Sequence, residues 1–411
     1  MKGDITDRAS LRAAMRGAEW VFHLAAWYIV GVIGKQKMRA INVEGTRNTL
    51  EVALELGAEK IGRIKMDLRG QQILITGANG FIGGRLAERL SAEEGAVVRG
   101  LARDPQTCEV SETSQVFQGD IVDADAVRRA VDGCDAVIHC AAMQSGRARL
   151  DEYRRVNVGG TLNLLRAARE ANVARFIHIS TINAHGVPPP RDAHADSPLG
   201  WGAGRGAINC APTGDFYSVS KAEGERAAWQ FARENEIALT VIRPACTYGP
   251  RSNAWTLTPL RRVERGRPVL IGGGNGICNA VYIDNLVDLI LLALKNDAAI
   301  GHAFIGAEGR GVTWREFYGA YARMLGGKRL FGMPRAAALA LTLPFELLAR
   351  IDGYPPRLAR ASVEFYSHRV VFDIEKSKRL LGYAPRVSFE EGMARTEAWL
   401  AESGQLADGE R

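Results

Sequence analysis

The sequence predicts an α/β protein: a doubly wound parallel sheet with a smaller C-terminal substrate lobe, preceded by a partial duplicate of that sheet. Three observations predict it. Short apolar runs alternate with segments of helical period through most of the 411 residues, which implies parallel strands joined by crossover helices. A glycine-rich turn stands between an apolar strand and a helix in "QQILITGANGFIGGRLAERL" (71–90). The stretch "GDITDRASLRAAMRGAEWVFHLAA" (3–26) returns as "GDIVDADAVRRAVDGCDAVIHCAA" (119–142).

Composition bounds the class of protein. With 46% hydrophobic and 24% charged residues the chain is ordinary for a soluble globular protein. The net charge of +7 comes from Lys and Arg scattered among acids rather than clustered, which argues against a nucleic-acid surface. The six cysteines form no Cys-x-x-Cys pair and have no companion His at ligand spacing, so they read as reduced thiols and no metal site is expected. The start "MKGDITDR" lacks the apolar core of a signal peptide, and no uncharged apolar run reaches the roughly 18 to 20 residues of a membrane span. A cytoplasmic location is the resulting expectation.

The repeated stretches agree without gaps at eleven of twenty-four positions, among them Asp4 with Asp120, Gly17 with Gly133 and His23 with His139. After a one-residue shift, Asn42 to Ile64 matches Asn157 to Ile179, and then the similarity stops. Each copy reads as strand, helix, apolar strand, helix, strand. Only the second copy has two more strands before it and further units after it.

In the turn Gly77-x-x-Gly80-x-x-Gly83 the glycines permit a tight bend, close approach of a pyrophosphate and close helix packing, and the helix N-terminus supplies amides and a favourable dipole. Gly77, Asn79, Gly80, Phe81, Ile82 and Gly83 are therefore candidate dinucleotide-binding residues. The next strand ends at Arg103, twenty residues after Gly83, where an acid normally holds an unmodified ribose. A guanidinium there suits a 2′-phosphate and favours NADP, while the adjacent Asp104 keeps NAD open. Asp120 and Asp123 also fit as turn and helix-cap residues.

The ordered set "TGANGFIG" (76–83), "HCAA" (139–142), "NVGGT" (157–161), "STINAHG" (180–186), "YSVSK" (217–221) and "RPACTYGP" (243–250), with "FDIEKSKRLLGYAPRVSFEEG" (372–392), resembles the extended short-chain dehydrogenase/reductase family, also called the NAD-dependent epimerase/dehydratase family. The resemblance covers roughly residues 68–400. It implies a Rossmann-type sheet and a hydride-transferring enzyme acting on a secondary alcohol or ketone. It also implies a homodimer, and places Asp120, Ile121, Ala141, Ala142 and Pro244 beside the cofactor.

Tyr217 and Lys221 are four apart in a segment of helical composition, so they share a face. A tyrosine near its usual pKa of about 10 is a poor base at neutral pH, and a neighbouring ammonium, aided by an oxidised nicotinamide, favours phenolate. The phenol then exchanges a proton with the substrate oxygen. The resemblance makes Thr181, beside Ser180, the hydroxyl that holds that oxygen, gives Lys221 the nicotinamide ribose, and has Asn157 support the lysine. His185 replaces a usual tyrosine and receives no role. The segment from Val187 to Phe216, rich in Pro, Gly and Ala, is either a lid or an insertion.

Nucleotide-sugar members of the family place Asn and Arg where this chain has Cys246 and Cys278, which argues against a diphosphate-bearing substrate. The segments 272–294 and 301–326 look closer to the 3β-hydroxysteroid dehydrogenase branch, so the expected substrate is an apolar small molecule. The apolar patch from Pro334 to Ile351 is read either as a peripheral membrane contact or as a buried helix, with Pro344 interrupting or kinking it. Alternatives are a nucleotide-sugar epimerase or dehydratase and, in another class, a non-catalytic NADP-binding regulator. The expected domains are a truncated duplicate at 1–65 (with a docking or dimerisation role as the alternative), a cofactor-binding domain at 66–247 and a substrate lobe at 248–411. The lobe partly interleaves with the sheet through 280–296 and 302–308. The complete enzyme would begin at Met66, so His23 and Asn42 are left off the site.

Overall fold

A computed structural model of the chain describes residues 4–17, 20–22, 44–56, 60–62, 66–107, 115–144, 148–200, 215–356 and 358–406. The chain divides into two compact units, Met1–Met66 and Asp67–Arg411.

The first unit contains the helix Arg8–Met15, strand β1 (Trp20–Phe22), the helix Thr46–Glu55 and strand β2 (Lys60–Gly62). The two strands pair in parallel with Trp20 opposite Lys60. Asp7 caps the first helix by accepting from the Ala9 amide at 2.9 Å. Asn48 Nδ2 donates to the carbonyls of Ile5 and Thr6, each at 3.3 Å. His23 and Asn42 lie outside the described residues.

The second unit is built on β3 (Gln72–Thr76), β4 (Val97–Ala102), β5 (Gln115–Gln118), β6 (Ala136–His139), β7 (Arg175–Ile179) and β8 (Leu239–Pro244). The chain continues through β9 (Cys246–Tyr248), β10 (Leu270–Ile271), β11 (Ile277–Cys278) and β12 (Ala280–Tyr282) to β13 (Ala303–Gly306), which returns to the edge of the sheet beside β8. The seven strands run parallel in the order β13-β8-β7-β6-β3-β4-β5. The chain starts in the middle, winds outward to β5, then crosses back to β6, so the order reverses between β3 and β6. In such sheets the crevice at the strands' C-terminal ends beside that reversal is where ligands bind.

Helices cover both faces, so the central strands are near-continuous apolar runs rather than alternating ones. Leu74, Val127, Val137, Leu164, Phe176 and Val241 are fully buried in the resulting core. The C-terminal part adds short strand pairs: β9 with β12, β11 with β14 (Val312–Thr313) and β10 with β15 (Gly332–Met333). A cluster of rings there includes Trp255, Trp314, Phe317, Phe365 and Tyr366, with Trp314 and Tyr366 centroids 4.5 Å apart.

Pro344 does not end its helix, which runs unbroken from Arg335 to Asp352. Nor is that helix buried: only Ala338 and Thr342 are. Of the segment from Val187 to Phe216, residues 201–214 lie outside those described, so its reading as a lid or an insertion lies largely there.

Candidate active site

A cavity of about 770 Å³ opens at the C-terminal ends of the central strands. That is a size suited to a cofactor with a small substrate. Its wall includes Gly77, Asn79, Gly80, Phe81, Ile82, Gly83, Arg103, Asp120, Ile121, Ala141, Ala142, Thr181, Tyr217, Lys221 and Pro244. Of the catalytic and cofactor-binding candidates read from the sequence, Asn157 is the one that does not line it.

The three glycines of the turn differ in what they permit. Gly77 has φ +70°, and a Cβ on it would stand 3.0 Å from the Ala141 amide nitrogen. Gly83 lets the helix Phe81–Ala92 close on the turn, since a Cβ there would meet the Gly77 carbonyl oxygen at 2.2 Å. Gly80 is the N-cap and offers no side chain to the first amides of that helix. The turn therefore leaves those amides and the positive end of the helix facing the cavity, which fits the pyrophosphate of a dinucleotide. At the far end Asp120 Oδ1 accepts from the Val122 amide at 3.1 Å, and Asp123 caps the next helix.

The helix Phe216–Asn235 begins where Asp215 Oδ1 accepts from the Ser218 amide at 3.0 Å. Tyr217, Lys221 and Glu225 stand at intervals of four, on one face. The Tyr217 hydroxyl hydrogen-bonds to the side chain of Thr181. Thr181 lies just past the end of β7, where its Oγ1 also accepts from the Asn183 amide at 3.3 Å. Lys221 Nζ donates to the Ile179 carbonyl at 2.6 Å.

Burial holds the Lys221 pKa down to about 8, against the pull of Glu225 and Cys140. Burial, and secondarily the Asp215 charge, raise the Tyr217 pKa above its usual value, opposed by the Thr181 hydrogen bond. The expectation that the ammonium favours phenolate is therefore outweighed in the polypeptide alone: both groups sit in a dry wall, where the neutral forms gain. At neutral pH Lys221 still carries its proton. Cys140, in the same wall, is pushed up to about 12 by burial, which leaves it a neutral thiol.

Two polar networks brace these side chains. Glu225, fully buried, accepts from Ser180 Oγ at 2.6 Å and from Arg243 Nε at 3.1 Å. Arg243 Nη1 reaches His185 Nε2 at 3.0 Å and donates to the Ala195 carbonyl at 2.8 Å. One buried ion pair thus ties the strand end bearing Thr181, the helix bearing Tyr217 and the segment after Val187. His185, which received no role in the sequence, is part of it; burial and Arg243 hold it neutral, with a pKa of about 4.

In the second network the Ala141 amide donates to Thr76 Oγ1 at 3.2 Å, which lies 2.8 Å from His139 Nδ1. His139 Nε2 lies 3.0 Å from Thr161 Oγ1, which donates to the Asn157 carbonyl at 2.8 Å. Those donors fix the proton of His139 on Nε2. Asn157 bonds the Met143 backbone through both its oxygen (2.7 Å) and its nitrogen (3.0 Å), and donates to Ser220 Oγ at 2.9 Å. It fastens the loop after β6 to the helix one residue before Lys221.

Sequence reading missed Glu225 and Arg243. The signal for Glu225 was available, because the spacing of Tyr217 and Lys221 extends one further turn. Met143, Arg155, Arg251, Trp255 and Phe365 also stand in the wall without having been foreseen, contributed by the loop after β6, by the helical segment Arg155–Gly160 and by the C-terminal part.

Comparison with known proteins agrees with this geometry. Residues 73–306, more than half of the chain, match the NAD dependent epimerase/dehydratase family, and residues 1–61 match the 3-beta hydroxysteroid dehydrogenase/isomerase family. Over 345 residues the chain is 29% identical to a 2-alkyl-3-oxoalkanoate reductase of Stenotrophomonas maltophilia, covering 80% of this chain and 98% of that protein. It is 28% identical to a UDP-glucose 4-epimerase of Vibrio cholerae (79% and 94% covered). It is 29% identical to a 3 beta-hydroxysteroid dehydrogenase/Delta 5→4-isomerase of Mycobacterium tuberculosis (78% and 88%). Among solved structures, a dTDP-glucose 4,6-dehydratase of Streptomyces venezuelae with NAD bound superposes with a TM-score of 0.64 at 25% identity, covering 82% of this chain and 98% of that one. The seven-stranded sheet, the glycine turn and the family match converge: the chain belongs to the NAD dependent epimerase/dehydratase family, the extended short-chain dehydrogenases/reductases.

Proposed function

We propose that this protein is an NAD(P)-dependent oxidoreductase that moves a hydride to or from a secondary alcohol or ketone, with an apolar, 3β-hydroxysteroid-like substrate. The observation that carries it is the meeting of Thr181, Tyr217 and Lys221 in one cavity with the glycine turn. Residues 66–247 hold the cofactor and these side chains, residues 248–411 supply most of the substrate's surroundings, and residues 1–65 are a dispensable remnant. The working form is a homodimer in the cytoplasm, a reading that rests on the family resemblance and the composition.

The nicotinamide, when bound, accepts or supplies the hydride. Thr181 holds the substrate oxygen, and Tyr217 Oη, already bonded to Thr181, gives or takes its proton. Lys221, still protonated at neutral pH, meets the ribose as an ammonium and stabilises a phenolate beside it. Asn157, Glu225 and Arg243 position these groups.

Arg103, exposed in the cavity wall, supports NADP over NAD, because Asp104 Oδ1 is turned into its own loop and accepts from the Gln106 amide at 3.1 Å. The substrate class is supported by Cys246 and Cys278. Their side chains meet each other, and Cys246 stands in the cavity wall, so a thiol occupies the place of a diphosphate-binding amide. Trp255 and Phe365 in the same wall suit an apolar body. A nucleotide sugar is the second reading, favoured by Arg155 and Arg251 in the wall and by the epimerase among the relatives.

The test is NADP⁺ and NAD⁺ reduction by the full chain with 3β-hydroxysteroids and other secondary alcohols, beside product analysis of UDP-sugars, whose epimerisation or dehydration returns the hydride and leaves no net reduced cofactor. Turnover of the steroids is expected, faster with NADP⁺, and Tyr217→Phe should lower kcat about 10³-fold with cofactor binding retained. Turnover of sugar nucleotides alone would overturn the substrate class. Cofactor binding without turnover of any compound would favour the non-catalytic regulator.

A further inference from the structure

Large apolar side chains stand exposed at nine of the described positions, and six of these belong to the single helix Arg335–Asp352; a seventh, Phe331, shortly precedes it. The buried side of that helix is marked by Ala338 and Thr342. Leu341, Leu343, Leu347, Leu348 and Ile351 fall on the opposite arc, about 160° wide at 3.6 residues per turn, and no charged residue falls between them. A surface helix ordinarily turns such a stripe inward. This one turns it out.

The surroundings of the stripe are cationic. From Lys328 to Arg360 the sequence holds six basic residues against two acidic ones, and of the six Arg335 and Arg360 also reach Glu364, at 2.6 and 4.0 Å. Both acids have local partners: Glu346 accepts from the Arg360 amide at 2.7 Å, and Asp352 from the Tyr354 amide at 2.9 Å. Arg350 is exposed in the last turn, and the Arg329 guanidinium lies 5.7 Å over the exposed Phe331 ring.

We propose that the helix Arg335–Asp352 docks the protein in the plane of an anionic lipid surface, its leucines among the acyl chains and its basic neighbours at the headgroups. Apolar burial and attraction to anionic lipid act together in such helices. At 18 residues, about 27 Å, it would lie along the interface, and among the described residues no helix is long and apolar enough to cross a membrane. A second copy of this chain is the poorer occupant. A two-fold contact sets the same surface against itself, opposing one cationic rim to another, whereas an anionic bilayer neutralises it.

The placement has a consequence that rests on the apolar-substrate reading above. The helix is joined to its neighbour Arg360–Ser367 by Arg335 with Glu364 at 2.6 Å, and Phe365 of that neighbour lines the cavity. Lipid would therefore lie one helix away from the wall that meets an apolar substrate.

The test is flotation of the full chain with vesicles of phosphatidylglycerol and phosphatidylcholine, beside vesicles of phosphatidylcholine alone. The wild type should partition at least about ten-fold more onto the anionic vesicles, less so as salt rises. Leu343→Ser with Leu347→Ser, both solvent-facing, should abolish binding while circular dichroism and cofactor binding stay unchanged. Arg329→Gln with Arg350→Gln should remove the preference for anionic vesicles. Equal recovery of the wild type with both vesicle types, or undiminished binding of the leucine variant, would overturn the proposal. So would dissociation of an oligomer by the leucine variant, which would make the helix an interface between copies. Vesicle binding without steroid turnover would sink the substrate reading and leave this one standing.

Discussion

Asp7 and Asp123 cap corresponding helices 116 residues apart, and the likeness continues past the caps. Asn48 donates to the carbonyls of Ile5 and Thr6; Asn163 donates to those of Ile121 and Val122, at 3.2 and 3.3 Å. Arg12 meets Glu55 at 2.8 Å where Arg128 meets Glu170 at 3.7 Å. Gly45 leaves room for Ile5 as Gly160 does for Ile121, a Cβ in either place falling 2.6 Å from the isoleucine. Trp20 faces Lys60 in the first strand pair, and Ala136 faces Arg175 in the second.

The surroundings are where the copies part. β6 and β7 lie inside a seven-stranded sheet, whereas β1 and β2 pair only with each other among the described residues. After β7 come Ser180 and Thr181; after β2 the chain reads "RIKMDLRG". The scaffold is thus specified locally, by a capping Asp, an Asn staple and a Gly–Ile contact. On the function proposed above, the chemistry is specified by the residues just past the strand end and by partners from elsewhere in the chain.

Four substitutions probe that contrast, taken from the largest expected effect down. Arg243→Met leaves the Glu225 carboxylate buried without its cation, and should lower unfolding free energy by about 3 to 5 kcal/mol in denaturant titrations. The first copy has no counterpart to this pair among its described residues, its ion pairs being exposed.

Lys221 gives a pH signature. Its folded pKa of about 8 lies below the unfolded 10.5, so between those values the unfolded chain binds the extra proton, and raising the pH stabilises the fold. The gain, up to about 3 kcal/mol across the window, should be absent in Lys221→Met when urea midpoints of the cofactor-free protein are compared at both ends.

The smallest effect concerns the duplicated staple. Asn163→Ala removes the two hydrogen bonds to the Ile121 and Val122 carbonyls, with an exposed one from Arg166, and should destabilise the main unit by about 1 to 2 kcal/mol. Asn48→Ala should leave the main unit's melting transition and turnover unchanged. Equal loss of turnover from the two variants would erase the distinction between the copies.

The glycine turn and the Tyr217–Lys221 pair were legible because each is a local pattern whose geometry comes from strand-turn-helix order or from four-residue spacing. Thr181 could be placed only through the family resemblance. Asn157 was sensed as structural support, but its bonds to Met143 and Ser220 depend on the loop after β6 and could not be read. The Glu225–Arg243–His185 network spans partners 18 and 58 residues apart, which no local pattern reports. The exposure of the helix Arg335–Asp352 was likewise hidden, since Ala and Leu at helical spacing look the same whether the stripe faces a core or the outside.

If the chemistry belongs to the second copy and its sheet, residues 66–411 alone should transfer hydride as the full chain does, measured with NADP⁺ and the best substrate of the panel. The expected kcat/KM values are equal within about two-fold. Loss of folding or of turnover on removing residues 1–65 would contradict that assignment.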